Sequence, residues 1–328
     1  MKPSGEGWWR ARPPRAVADR PFLQRGMGGI IYRVLLRYLS LALGVVLSSG
    51  TSGCGTRPAV SSGIRVVDDA GDTLVLTAPA QRVVSLIPAT TELLFAIGAG
   101  PTVVGRTQYC DYPPAVRAVR NLGDGIKPSI EAVLATSPDL VVLYNSGQNA
   151  PVAGRLRELG IPSLRLNTDA LSDVPRVARI LGRLTGHRSG ADSVTAVFDT
   201  ALAHASQSAS PRQRKVLLLV WEQPPMTIGR GSFLSELIER AGGQNLFADV
   251  SASSGVISIE AVAARDPDLI FTTTEGPSAF ASRPEWQVVR AVREHRFLRV
   301  KGSEFNRPSP RSPAAIRQLA AKMRTPTP

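Results

Sequence analysis

Glu131 and Glu260 occupy twin settings, because Ser129-Ile130-Glu131-Ala132-Val133 returns as Ser258-Ile259-Glu260-Ala261-Val262. Each serine can cap a helix, and each glutamate falls in the first turn behind it. There the helix dipole favours a carboxylate by about 0.3–1 kcal/mol without any partner. Other side chains suggest chemistry and are weighed against it. Glu92 and Asp111 could form a hydrolytic carboxylate pair, but a place near the start of a helix accounts for Glu92 and an Asx turn before Tyr112-Pro113 accounts for Asp111. His187, His204 and His295 are scattered over polar or helical stretches, so capture of a bare metal ion is not expected. Cys110 has no histidine partner and reads as a small, partly buried residue. Gly229-Arg230-Gly231-Ser232 could hold an anion at a helix start, yet it reads first as a strand-to-helix turn. No Gly-x-Ser-x-Gly elbow and no Gly-x-x-x-x-Gly-Lys-Ser/Thr loop occurs, so no catalytic residue is assigned.

The twin segments continue in parallel through Pro138-Asp139-Leu140-Val141 and Pro267-Asp268-Leu269-Ile270. Each reads as a capped helix, a Pro-Asp turn and a buried strand, Leu140–Tyr144 and Leu269–Thr273. An echo so widely spaced implies two similar α/β lobes rather than a solenoid, and a cleft between lobes is a common small-molecule site. The first lobe opens with a hairpin, Arg65–Asp68 and Thr73–Leu76, around Asp69–Asp72. Next come a doubly buried strand at Arg82–Ile87 and a helix at Glu92–Ile97 capped by Thr90 or Thr91. Val103–Gly105, Ser129–Thr136, Leu140–Tyr144, Val152–Leu159 and Ser163–Leu166 complete a βαβα alternation, the pattern of a parallel sheet covered by helices. Apolar residues at helical spacing over Ser172–Gln207 give two helices separated by Gly186, the second a long, stiff connection. Lys215–Trp221, Phe233–Arg240, Ser258–Arg265, Leu269–Thr273, Phe297–Val300 and Pro313–Met323 supply the second lobe. The expected divisions are 1–53, 54–63, 64–170, 171–210 and 211–328.

The chain has 328 residues, net charge +13, 43% hydrophobic residues and two cysteines. The segment before Cys54 carries eight Lys/Arg against two acids, leaving the remainder near +7. No compact basic run interleaved with aromatics follows, so a nucleic-acid partner is not expected. From Met27 the sequence reads as an export signal: Arg33 and Arg37, an apolar core at Tyr38–Leu47, then small residues at Ser48–Gly53. That core is about half the ~20 residues a membrane span needs. Thr51-Ser52-Gly53-Cys54 is similar to the bacterial lipoprotein box, which makes Cys54 the lipidation candidate and membrane anchor, although Thr51 departs from the usual leucine. Gly55–Gly63 follows as a Ser-, Pro- and Gly-containing tether.

Arg82–Glu92, Tyr109-Cys110-Asp111-Tyr112-Pro113, the paired Ser-Ile-Glu helices and Phe305-Asn306-Arg307-Pro308-Ser309-Pro310-Arg311 together resemble the helical-backbone substrate-binding proteins of ABC importers. The resemblance covers about 64–323 and is nearest to the cobalamin-binding members. It implies two Rossmann-like lobes with parallel sheets joined by a long backbone helix. It also implies an exported monomer that carries cobalamin or another corrinoid as cargo, with no cofactor of its own and no catalysis. Ligand contacts carry over to Tyr109 and to Glu304, Phe305, Asn306, Arg307 and Pro308. Tyr112 and Trp221 join them as rings at or just past strand ends, suited to a broad apolar disc. Glu131 and Glu260 become the residues that meet arginines on a permease dimer, where bidentate pairing fixes orientation. Relatives often carry a tryptophan where this chain has Gly123–Pro128, so a different corrinoid, an iron-siderophore or haem stays open as cargo. Arg106, Arg230 and Arg307 are the residues that would favour an anionic siderophore. An exported two-lobe transferase is the alternative from another class.

Overall fold

The structure, a computed structural model, describes residues 63–207, 213–272 and 279–324. The export segment, Cys54, most of the tether and Thr273 lie outside the described residues. A hairpin of β1 (Ile64–Val67) and β2 (Thr73–Leu76) leads in, closed by Asp68, whose carboxylate accepts from the Ala70 and Asp72 amides. The chain then lays down β3 (Val83–Ser85), α1 (Pro88–Ala96), β4 (Val103–Arg106), α2 (Ile130–Leu134), β5 (Leu140–Tyr144), α3 (Ala150–Glu158) and β6 (Ser163–Leu166). The four strands form a parallel sheet in the order β4-β3-β5-β6. All of β3 and most of β5 are buried, which explains their nearly unbroken apolar sequence.

The start of α1 differs from the expected cap. Pro88 occupies the first helical turn, where its missing N–H costs nothing, and Ile87 precedes it without a side-chain cap. Thr90 and Thr91 lie inside the helix, where both hydroxyls donate back to the Ile87 carbonyl and bond Ser85 Oγ. The helix thus begins four residues earlier than its expected start at Glu92.

α4 (Asp173–Thr185) and α5 (Arg188–Gln207) leave the first sheet as a helical hairpin. Gly186 makes the turn with φ +79°, a left-handed conformation that a side chain would strain. The apolar stripe of α4, Val174, Val177, Leu181 and Leu184, is fully buried. At 20 residues, α5 is about 30 Å long. It packs against α1 and α4 on one side and against the last helix of the chain on the other.

The second half contains β7 (Arg214–Glu222), β8 (Pro225–Ile228), α6 (Phe233–Arg240), β9 (Gly243–Asn245), β10 (Ser254–Val256), α7 (Ile259–Arg265), β11 (Leu269–Thr272), α8 (Arg290–Arg293), β12 (Phe297–Arg299) and α9 (Ser312–Arg324). Its sheet runs β10-β8-β7-β11-β12, with β9 also on β7. Here the expectation of two parallel sheets needs correcting. β7, β9, β11 and β12 are parallel, but β8 and β10 add antiparallel pairs and make the sheet mixed. The Gln223-Pro224-Pro225 run reads as a strand breaker. Pro225 is tolerated because it is the first residue of β8.

The meeting of α5 and α1 is close. A Cβ on Gly190 would sit 2.0 Å from the Ile97 carbonyl oxygen, which is backbone and cannot swing aside. Gly190→Ala is expected to cost about 1–3 kcal/mol through overpacking, read as a lowered urea midpoint with an unchanged m-value. An unchanged midpoint would show that the contact is looser than described.

Candidate functional site

Strands of a parallel sheet present their carboxyl ends at one edge. In both halves those edges border a cavity of about 950 Å³, at the upper end of small-molecule sites. From the first half it is lined by Ile87 and Pro88 after β3, Gln108, Tyr109 and Asp111 after β4, Tyr144 at the end of β5, and Thr168 and Asp169 after β6. From the second half come Gly231, Ser232 and Phe233 at the start of α6, Ser253 before β10, and Ser303, Asn306, Arg307 and Pro308 after β12.

Four of the residues singled out in the sequence therefore meet here: Tyr109, Asn306, Arg307 and Pro308. Tyr109 is 55% exposed and offers an open ring face. The other four lie elsewhere. Phe305 is 1% exposed and packs in the core with α9, because the short helical turn Ser303–Phe305 points it inward. Glu304 accepts from Arg311 Nη1 at 2.5 Å. Tyr112 lies beneath the Arg311 guanidinium, 4.0 Å from ring centroid to Cζ. Trp221 is 61% exposed, and its indole N–H donates to the Gln223 carbonyl. It forms a row with Met226 and Val256 on neighbouring strands, outside the cavity lining.

Behind the cavity floor lies an ionic network that joins the halves. Glu92, on α1, is 2% exposed and receives Arg311 in a fork, Nε to Oε1 at 2.7 Å and Nη2 to Oε2 at 2.9 Å. Arg307 Nε stands 3.6 Å from the same carboxylate, while its Nη2 donates to Asp111 and, at 3.2 Å, to Ser303 Oγ. The expected local explanations of Glu92 and Asp111 are thus corrected, since both pair with arginines of the second half. Burial alone would lift the Asp111 carboxyl, but the hydrogen bond and charge of Arg307 hold it below the usual carboxylate range. Burial alone would likewise lower Arg311, whereas Glu92 and Glu304 hold it above its ordinary value. A second contact between halves runs from the Leu171 amide to Glu236 Oε2 at 3.0 Å.

Tyr144 and Asp169 are cavity residues that sequence reasoning missed, although both stand at strand ends. The Tyr144 hydroxyl donates to Asp169 Oδ1 at 2.8 Å. Burial, with the aspartate's help, pushes the phenol up to about 12, so it remains a donor at neutral pH. Of the arginines that would suit an anionic cargo, Arg106 donates to the carbonyls of Val116 and Thr107. Arg230 is exposed outside the lining. Gly229–Ser232 is the turn into α6, with Ser232 Oγ accepting from the Ser235 amide. Cys110 is buried between the Thr91 and Thr107 hydroxyls.

The twin glutamates are twins in geometry too. Ser129 Oγ accepts from the Ala132 amide at 3.1 Å, and Ser258 Oγ from the Ala261 amide at 3.1 Å. Both glutamates are exposed, and both carboxyls are lowered by their own backbone N–H and by the capping serine. Each helix then feeds a strand flanked on both sides, β5 in one sheet and β11 in the other.

A family profile described as periplasmic binding protein matches residues 83–303. The chain is 27% identical over 248 residues to the vitamin B12-binding protein of Vibrio cholerae, covering 75% of this chain and 90% of that protein. The solved structure of the periplasmic vitamin B12 binding protein BtuF of Vibrio cholerae aligns with TM-score 0.66 at 27% identity, over 75% of this chain and 97% of that one. The chain is also 29% identical over 268 residues to the uncharacterized ABC transporter substrate-binding lipoprotein YvrC of Bacillus subtilis, covering 77% and 83%. The periplasmic heme-binding protein RhuT from Roseiflexus sp. RS-1, in apo form, shares the fold with TM-score 0.67 at 24% identity, over 74% and 97% of the chains.

Removing one member of a buried ion pair strands its partner, at a cost of about 3–5 kcal/mol. Glu92→Ala should lower unfolding free energy by that amount in a denaturant titration. Asp111→Ala, at the solvent edge, should cost no more than about 1 kcal/mol. Equal effects would mean that Glu92 does not carry the network.

Proposed function

Because the chain belongs to the periplasmic binding protein family, we propose that it captures cobalamin or a related corrinoid in the cavity between its halves and delivers it, unaltered, to an ABC permease. The observation that carries the choice of cargo is the state of the charges in the lining. Among the described residues its one cation, Arg307, is committed to Asp111 and faces Glu92, and Asp169 adds a further carboxylate. An anionic ferric siderophore would find no uncommitted arginine there. A neutral, amide-fringed disc needs ring faces and a few fixed polar groups. Tyr109, the Tyr144–Asp169 pair, Ser232, Ser253 and Asn306 supply them. The row of Trp221, Met226 and Val256 offers further apolar surface for a ligand wider than the cavity.

In this reading residues 64–170 and 211–328 act as the two lobes and 171–210 as their link. The α5 rod and the Glu92 network limit closure to small angles. Glu131 and Glu260 are the docking points for the two arginine-bearing subunits of a permease, and their exposure and matched geometry support that role. The chain is exported, with Cys54 as its lipid anchor and residues 55–63 as the tether.

Titration of the purified fold with cyanocobalamin, haem and a ferric siderophore should give saturable binding of the corrinoid alone. Binding of haem or siderophore without corrinoid binding would overturn the choice of cargo. In a separate transport assay, reversing both docking charges (Glu131→Arg with Glu260→Arg) should abolish uptake at unchanged ligand affinity. Loss of affinity in that variant would remove the docking role.

A further inference from the structure

The α4–α5 hairpin carries a groove of about 550 Å³ that shares no residue with the cargo cavity. Arg176, Arg179 and Arg183 line it from α4, and Arg188 lines it from α5, with Asp192 as the only acid in the lining. Arg176 is occupied by Asp69 and Asp173. Arg179, Arg183 and Arg188 are exposed and, among the described residues, have no carboxylate partner. Arg188 moreover stands at the first position of α5, whose first turn contains no acid. A cation there opposes the helix dipole, and an anion beside it would relieve that conflict.

The place of the groove in the fold identifies the anion. Thr168 and Asp169, just before α4, border the cargo cavity, so α4 starts at the cleft edge of the first sheet. Its other end is held to the segment entering β3, where the Ala80 amide donates to the Leu184 carbonyl at 2.7 Å and a Cβ on Gly186 would meet the Pro79 ring. That is the edge of the sheet away from the cleft. The chain enters the fold at the same edge. Ile64 pairs with Leu76, a few residues before Ala80, while the opposite end of the hairpin is bonded to Arg165, Asn167 and Arg176. Nine residues separate Cys54 from this entry point, a reach of at most about 30 Å.

We propose that the arginine groove on α4 and α5 binds the phosphate headgroups of anionic phospholipids. Through it the fold sits on its own membrane with the cleft facing away. The inference rests on the lipid-anchor part of the proposed function and not on the identity of the cargo. Guanidinium forks match phosphate oxygens, and each basic residue near an anionic bilayer contributes on the order of 1 kcal/mol.

The test uses the chain from residue 54 with Cys54→Ser, so that no lipid contributes, and sedimentation with vesicles. Binding to phosphatidylglycerol-containing vesicles is expected, weakening as salt rises, with little binding to pure phosphatidylcholine. Replacing Arg179, Arg183 and Arg188 together by Gln should weaken partitioning on the order of 100-fold. Asp192→Asn should strengthen it several-fold. Equal binding to neutral vesicles, or undiminished binding by the triple variant, would overturn the proposal. Corrinoid titration of the same samples separates this outcome from the cargo reading, since the groove variants should bind cargo unchanged.

Discussion

A carboxylate removed from water without partners loses several kcal/mol of solvation, and Glu92 is almost wholly buried. Its position is tolerable only because Arg311 meets both oxygens and Arg307 adds a third nitrogen nearby. Those arginines belong to the segment after β12, whereas Glu92 belongs to α1. The pairing therefore works only with the two halves in register. The same network sets the cavity floor, since Arg307 is both a lining residue and a member of it. Tyr112 lies under the Arg311 guanidinium and adds a cation–π contact to the network. One interaction thus contributes both to the shape of the site and to the attachment of the halves.

The twin carboxylates, Glu131 and Glu260, depend on a different and simpler physics. A serine cap and a first-turn glutamate form a local device that needs four or five residues and no tertiary partner. It can be duplicated with its geometry intact while everything around it diverges. The second sheet differs from the first in carrying β8 and β10, yet the cap distances agree between the halves. Local chemistry thus preserves a matched pair of surface charges on halves whose sheets no longer match.

This contrast also explains what could be read from the sequence. Strand and helix positions governed by periodicity were legible: β5, β6 and α6 fall where the residues place them. So was the turn at Gly186. The start of α1 was not, because a proline at the first helical turn and a threonine cap give overlapping signals. β8 was hidden by prolines whose tolerance depends on which strand lies beside them. In the cavity, motif resemblance reached Tyr109 and Asn306–Pro308 but also gathered Glu304 and Phe305, while strand-end position added Tyr112; these three lie outside the lining. A five-residue motif cannot distinguish a side chain that faces the ligand from one that holds its neighbour. Glu92 and Asp111 failed for a related reason, since their partners lie at Arg311 and Arg307, far along the chain, and no local pattern points to them.

Charge is distributed accordingly. The folded part is basic, yet the cation in the cavity is neutralised by carboxylates, and the unpaired arginines of the α4–α5 groove lie outside the cavity. A protein that must release cargo and leave each surface it visits is served by contacts that are individually weak. In the proposed membrane contact, three exposed guanidiniums would be screened by salt over about 10 Å, biasing orientation without fixing it. Glu131 lies in the first turn of α2, which begins at the cleft edge, with nearby Gly125 close to the Leu86 carbonyl beyond β3. In the proposed reading, docking through that edge alternates with resting on the arginine groove. Reversible electrostatics at such a contact would allow the molecule to turn over, whereas a buried apolar contact of equal area would hold it in place.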